Sequence, residues 1–362
     1  MRFLTSKNPI LAVMLFFIAA TNSVCANEID FMAIGDSAWV EGKAAFGDKD
    51  STDIHPGLEG IFPLRSSDIN FINLEASVST GCERFIPKPY TFAVGKKTVL
   101  GFASWGFNMF ALANNHSIDC AKPSVDKTVD AGFKLTNKYL KNVVYHGVAS
   151  TPEKLLKPAI REIRGLKVGL ISIKVWNDKK RPYLGNNLNH EKLFESLKNH
   201  KVDFRILSIH GGTERSRVPD PEIVKLSRKF ITDYSGDLVL GHHPHVVSGL
   251  ELFKRENGRN ALIIYSLGNG LHNGINGLNG DGKVVKLKLN TKEGVKTPTV
   301  HPLRSNAFRL NPAPSERIDY FKSQIYSSSK LVSPFKHKSI KKLQTEFTTI
   351  SEPTPGFEVK SF

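Results

Sequence analysis

The sequence predicts an α/β protein. Three observations carry that expectation: short apolar runs bounded by turn residues, amphipathic segments of helical period between them, and polar clusters where the apolar runs end. Open α/β sheets place their sites at such carboxyl ends of strands.

The first 26 residues stand apart from the fold. Arg2 and Lys7 precede an apolar run of eleven residues, Ile10 to Ala20, and Val24-Cys25-Ala26 offers a cleavage site before Asn27. Spanning a bilayer takes about 20 apolar residues, so the segment reads as a secretory signal. A lipoprotein signal with Cys25 as the modified residue is the alternative. The chain is therefore expected to be exported, to a periplasm or cell envelope. Ile29 to Ile34 is then the first buried strand, ending at Gly35-Asp36-Ser37. Asp68 to Ile72 leads to Asn73-Leu74-Glu75, and Phe107 to Leu112 leads to Ala113-Asn114-Asn115-His116. Ser124 to Tyr139 is helical, with Val125, Val129, Phe133 and Leu135 on its apolar side. Val168 to Ile173 and Phe204 to Ile209 are further strands, separated by a helix over Glu191 to Asn199. A helix over Pro221 to Tyr234 precedes the apolar run Leu238-Val239-Leu240, and Leu262 to Tyr265 is closed by Ser266-Leu267-Gly268-Asn269. Beyond Asn290 apolar runs are few; Glu316 to Ser329 is expected to be a docking helix, and a loose tail follows. This gives a signal (1–26), a main domain (27–300) and a C-terminal extension with a basic tail (301–362).

The net charge is +16, or +14 without Arg2 and Lys7, with a dense run at Lys336, Lys338, Lys341 and Lys342. An exported basic protein suits anionic polymers, envelope phosphates or a merely solvated basic surface. No nucleic-acid recognition motif is present, which argues against that class of partner. Apart from Cys25, the cysteines are Cys82 and Cys120, which could pair in an oxidising compartment.

The densest chemistry lies in Gly241-His242-His243-Pro244-His245. In an extended segment, residues two apart project to the same side, so His243 and His245 could serve one centre. Pro244 is expected to hold His243 extended. Asp36 and Glu75 each follow a strand and alone are weak signals, since a turn Asp and a solvated Glu are common. Asn114-Asn115-His116 has no evident packing role, and Asp119 could orient His116 or cap the next helix. His210 ends another strand, before Gly211-Gly212 and Glu214. Taken in order, a carboxylate, a second carboxylate, an amide with an imidazole, an imidazole and a His-x-His suit Mn, Fe, Zn or a mixed pair of divalent ions.

These blocks, with Tyr265-Ser266-Leu267-Gly268-Asn269, resemble the signature blocks of the CapA family. That is the capsule and poly-γ-glutamate biosynthesis group of the calcineurin-like metallophosphatase superfamily. The resemblance covers about Ile29 to Leu289. It implies a four-layer αββα sandwich of metallophosphoesterase type with two central mixed sheets. It also implies two divalent ions (Mn, Fe, Zn or Mg), with Asp36 on one, Glu75 bridging, Asn115, His210 and His243 on the second, and His245 on the first. His116 would protonate a leaving oxygen or steady the transition state, and Asp119 is counted with it as a candidate catalytic residue. Asn73, Asn114, Glu214, His242 and Asn269 would contact substrate or support the ligands. Three departures stand out. Ser37-Ala38 follows Asp36 where the wider superfamily has Asp-x-His, leaving that side one imidazole short. Gly211 and Gly270 stand where the family commonly has aromatic residues, which is expected to widen the cleft or alter its grip.

The leading functional expectation is an exported CapA-like protein with a metal-dependent hydrolase site, acting in synthesis, export or anchoring of poly-γ-glutamate or capsule polymer. Its partners would be that anionic polymer or a phosphate ester, and a membrane-bound synthase. The alternatives are an envelope metallophosphoesterase for small esters or lipids, and a non-catalytic polyanion-binding scaffold.

Overall fold

The structure, a computed structural model, describes residues 27–38, 47–49, 55–79, 86–120, 125–176, 179, 184–255, 257–272, 280–306 and 309–332. The signal segment with Cys25, the candidate disulfide partner Cys82 and the lysine-rich tail lie outside the described residues.

The chain runs β1 (Glu28–Ala38), β2 (Gly47–Lys49), α1 (His55–Leu58), β3 (Ile69–Leu74), β4 (Ser77–Val78), β5 (Phe92–Val94), α2 (Lys96–Trp105), β6 (Met109–Ala111), α3 (Val125–Tyr139) and β7 (Val144–His146). It continues through α4 (Pro152–Leu155), β8 (Ala159–Ile163), β9 (Leu166–Lys174), α5 (His190–Asn199), β10 (Phe204–His210), α6 (Pro221–Asp233) and β11 (Leu238–His242). It closes with β12 (Leu250–Lys254), β13 (Asn260–Ile264), β14 (Asn269–His272), β15 (Asp281–Asn290), β16 (Gly294–Asn306), β17 (Arg309–Pro312) and α7 (Ser315–Val332). Every strand and helix anticipated from periodicity is present. None of the described helices is long and apolar enough to cross a membrane.

Alternation along the strands builds four layers. In β1, Ile29, Phe31 and Ala33 face a central core, while Met32 and Ile34 face an outer one. The central core also takes Val168 and Leu170 of β9, Ile206 of β10, Leu238 and Leu240 of β11, and Leu262 and Ile264 of β13. Two sheet halves therefore pack face to face, as the period of two dictates. Val99 and Phe102 of α2 with Val129 and Phe133 of α3 cover one half. Leu193 and Phe194 of α5 with Ile223 and Phe230 of α6 cover the other. The expected pair of sheets is one hydrogen-bonded path, β7-β6-β3-β1-β15-β16-β13-β11-β10-β9-β8. The join is a single register pair, Asn260 with Gly294, between β13 and β16.

Two local expectations are corrected. The first strand does not stop at Gly35. It continues to Ala38 through an irregularity in its pairing with β3 between Ile34 and Asp36. Such a bulge re-aims the side chain beyond it, here Asp36. A Cβ at Gly35 would stand 1.9 Å from the Gly268 carbonyl oxygen, so glycine is what lets this crossing form. Beyond Asn290 the chain is not sparse in structure: β16 is 13 residues long and crosses position 300. Its pairing with β15 supplies the hydrogen bonds that a sequence with two prolines does not advertise.

Candidate metal centre

Strands β1, β3 and β6 run parallel in one half, and β9, β10, β11 and β13 run parallel in the other. Their carboxyl ends bring Asp36, Glu75, Asn115, His210, His243 and His245 together. Two triads of donor atoms lie within 4.8 Å of one another: Glu75, His210 and His243, and Asp36, Glu75 and His245. Glu75 is common to both.

Asp36 is fully buried. Its Oδ1 accepts from Asn73 Nδ2 at 2.7 Å, and its Oδ2 accepts from the His243 amide at 2.9 Å. His242 Nδ1 lies 3.3 Å from Oδ1, and His245 Nδ1 lies 3.4 Å from Oδ2. Burial works against ionisation here, but the His242 hydrogen bond and the neighbouring His210 and His245 outweigh it and hold the carboxyl well below its ordinary range. Glu75 shows the opposite. Burial first, and the charge of Asp36 second, push its carboxyl well above the usual value. Neither Glu75 oxygen has a hydrogen-bond partner among the described residues. Its nearest polar neighbours are imidazole nitrogens: His210 Nε2 at 3.5 Å, His245 Nε2 at 3.7 Å and His116 Nε2 at 4.0 Å. A buried carboxylate with no donor is costly unless a cation faces it. His243 Nδ1 is likewise buried without a partner. Burial pushes His210 well below the ordinary imidazole value, and burial with the charge of His245 takes His243 down to about 4. Imidazoles kept neutral in this way are in the ligating form. The donor set therefore fits two divalent ions of the kind that take mixed oxygen and imidazole ligands.

The remaining predicted residues fall into distinct places. Asn115 Oδ1 sits 2.9 Å from His210 Nε2, beside the first triad. Asn73 also approaches His210 Nδ1 at 3.3 Å, linking the two triads from behind. Asn114 turns away from the centre. Its side chain accepts from the His116 amide at 2.9 Å and donates to the Leu74 carbonyl at 2.9 Å, which builds the turn. His116 Nδ1 meets Asp119 Oδ2 at 2.6 Å, so Asp119 orients the imidazole and does not cap the helix that begins at Val125. Burial lowers the His116 pKa, against the raising effect of Asp119. His242 is buried behind Asp36 and stacks on Phe71 at 5.8 Å. Asn269 Oδ1 lies 2.9 Å from His245 Nδ1. Glu214 is exposed, and only its charge is felt at Glu75 and His243.

The His-Pro-His reading needs one correction. His243 and His245 do not project together from an extended segment. Both have positive φ, 95° and 56°, just beyond the last residue of β11. The hydrogen bond from the His243 amide to Asp36 holds this strained turn, and the two rings diverge to 6.0 Å between centroids, one to each triad. The glycine departures also have local causes. A Cβ at Gly211 would lie 2.7 Å from Val175 Cβ, and one at Gly270 would lie 2.1 Å from Ser37 Oγ. Neither position opens a gap; neighbouring residues already fill it.

Four residues near the centre carried no signal in the sequence. Lys88 Nζ contacts Asp119 Oδ1 at 2.5 Å, the Asn115 carbonyl at 2.9 Å and His116 Nδ1 at 3.2 Å. Phe92 lies 4.3 Å from the His116 ring and 5.2 Å from His272. His272 itself is edge-on to His245 at 5.8 Å, and Trp176 is edge-on to His243 at 4.8 Å. Nearby, Cys120 is disulfide-bonded.

Residues 30–273 match the family described as bacterial capsule synthesis protein PGA_cap. The capsule biosynthesis protein CapA of Bacillus anthracis is 25% identical over 190 residues, which is 48% of this chain and 42% of that protein. The PGA biosynthesis protein CapA of Bacillus subtilis (strain 168) is 35% identical over 68 residues, 19% of this chain and 16% of that protein. The matches thus span less than half the length of either relative. Among solved structures, a phosphatase from Mycoplasma pneumoniae aligns with a TM-score of 0.49 at 13% identity, covering 78% of this chain and 96% of its own. With two thirds of its length matched by one family description, the chain belongs to the bacterial capsule synthesis family PGA_cap, the CapA group.

Proposed function

We propose that the chain is an exported protein of poly-γ-glutamate or related capsule polymer synthesis, export or anchoring. In this reading the buried donor cluster is a divalent-metal hydrolase centre of phosphoesterase type. The observation that carries it is the pair of triads sharing Glu75, a buried carboxylate with no hydrogen-bond donor of its own. Two ions held there would supply Lewis-acid polarisation of a phosphoryl or acyl oxygen and activation of water.

The chain's own residues do the rest. Asn73 and His242 fix Asp36, so its second oxygen is presented to the His245 side. Asp119 accepts from His116 Nδ1, leaving Nε2 turned toward Glu75, where it would take a proton from the attacking water and pass it to a leaving oxygen. Lys88 ties Asp119 to the Asn115 carbonyl and so keeps the acid and a ligand in one frame.

Elemental analysis of purified protein tests the centre. Wild type is expected to carry near-stoichiometric divalent metal and to turn over a chromogenic phosphodiester. His243→Ala and Asp36→Asn are expected to lose metal and at least a hundredfold in turnover. Deletion of the gene is expected to abolish surface polymer, and complementation by Asp36→Asn not to restore it. Metal-free wild type, or full complementation by Asp36→Asn, would remove the catalytic part of the proposal.

A further inference from the structure

Trp176 is 37% exposed, an unusual state for an indole packed against buried histidines. Its backbone is placed just past the end of β9, beside His210, the last residue of the neighbouring strand β10. In the β9–β10 ladder Lys174 pairs with His210, and the Val175 amide donates to the His210 carbonyl at 2.9 Å, one residue past the strand. Alternation then sends Val175 and Trp176 to opposite faces. Val175 goes to the outer core with Ile173 and Ile223, in the space beside Gly211. Trp176 goes inward, edge-on to His243 at 81° and 4.8 Å, and tilted toward His210 at 6.2 Å. The missing side chain at Gly211 is thus part of how the indole is aimed.

We infer that Trp176 is a substrate-positioning residue, covering a planar or apolar substituent of an anionic ester whose charged group sits at the His210–His243 side of the centre. The inference rests on the metal-centre reading above and adds a substrate class to it. A half-open apolar ring beside a cationic centre rewards a ligand that is charged at one end and flat at the other. A ligand with the same charge and no flat group gains nothing from it.

Two probes separate these cases: phenylphosphonate and methylphosphonate, titrated into zinc-loaded full-length protein by calorimetry and by tryptophan emission. Wild type is expected to bind phenylphosphonate about tenfold more tightly, and the phenyl ligand alone to perturb emission. Trp176→Ala is expected to erase that tenfold gap while leaving methylphosphonate affinity and zinc content unchanged. Trp176→Phe is expected to keep most of the gap. A gap that survives in Trp176→Ala, equal weakening of both phosphonates, or no phosphonate binding to zinc-replete wild type would each overturn the inference. Failure of wild type to take up zinc at all is a different result, which overturns the metal-centre reading and this inference with it.

Discussion

At the scale of single residues, burial sets which protonation states the fold tolerates. His146 is buried and uses both ring nitrogens: Nε2 lies 2.9 Å from the Leu155 carbonyl, and Nδ1 accepts from the Ser172 amide at 2.9 Å. A proton on Nδ1 would face another N–H. Burial accordingly holds this imidazole down to about 4, against an ordinary value of 6.5, despite the two backbone hydrogen bonds. Above about pH 6.5 both folded and unfolded chains keep it neutral. Between 6.5 and 4 the unfolded chain binds a proton that the folded chain refuses, so stability falls as pH drops through that window. The contribution is on the order of 3 kcal/mol. His146→Asn, which keeps an acceptor near the Nδ1 position, is expected to be less stable at pH 7.5 and to lose roughly that much less on going to pH 4.5. Urea unfolding at the two pH values measures it; an unchanged difference would refute the assignment. The same scale shows what the sequence could disclose. Asp36, Glu75, Asn115, His210, His243 and His245 were legible because each lies within a few residues of the end of an apolar run. Lys88 was not, because its contacts lie 27 to 31 residues away and depend on how the loop before β5 folds back. Trp176 was not, because its direction depends on what fills the space beside Gly211.

At the scale of elements, the least redundant feature is the corner where β15 turns into β16. Asn290 Oδ1 accepts from the Lys292 and Glu293 amides at 3.0 and 3.1 Å, Gly294 follows at φ 78°, and β16 then pairs with β15. The Asn260 amide donates to the Glu293 carbonyl at 2.7 Å, which stitches β13 to the same corner. A Cβ on Gly294 would stand 2.1 Å from the Asn260 carbonyl oxygen. Gly258 has the same backbone, φ 79°, with nothing within 4 Å of its missing Cβ. The pair separates two effects. Gly258→Ala is expected to cost only the left-handed backbone, about 1–2 kcal/mol. Gly294→Ala adds overpacking against backbone that cannot rotate away, about 1–3 kcal/mol more. Equal unfolding midpoints for the two variants would show that the corner yields freely. Periodicity could not reveal this join: a single register pair between two strands leaves no pattern in composition. The bulge at Gly35 escaped for a related reason, since only the approach of Gly268 shows that the strand continues past it.

At the scale of the whole molecule, the four layers bring two buried carboxylates close together, and that arrangement works against folding. Three apolar cores stabilise the sandwich while Asp36 and Glu75 sit fully buried at its open end. Without a cation, burial first and the charge of Asp36 second push the Glu75 carboxyl upward, so it keeps its proton. A divalent ion bound between the two carboxylates would displace that proton, and binding to the folded state alone raises stability by about 2.7 kcal/mol at a hundredfold excess over Kd. The chain is therefore expected to melt several degrees higher with zinc or manganese and lower after chelation, with the increment growing from pH 5 to pH 7.5 as the Glu75 proton becomes easier to displace. Glu75→Gln tests the account from both sides. Glutamine is neutral without having to bind a proton, so the metal-free variant avoids the cost that Glu75 incurs at neutral pH, and its melting temperature after chelation should equal or exceed that of wild type. Removing the shared ligand should also abolish the metal-dependent rise. If Glu75→Gln melted lower than wild type in chelator and still gained from metal, Glu75 would be a structural carboxylate and the two triads would not share it as a ligand.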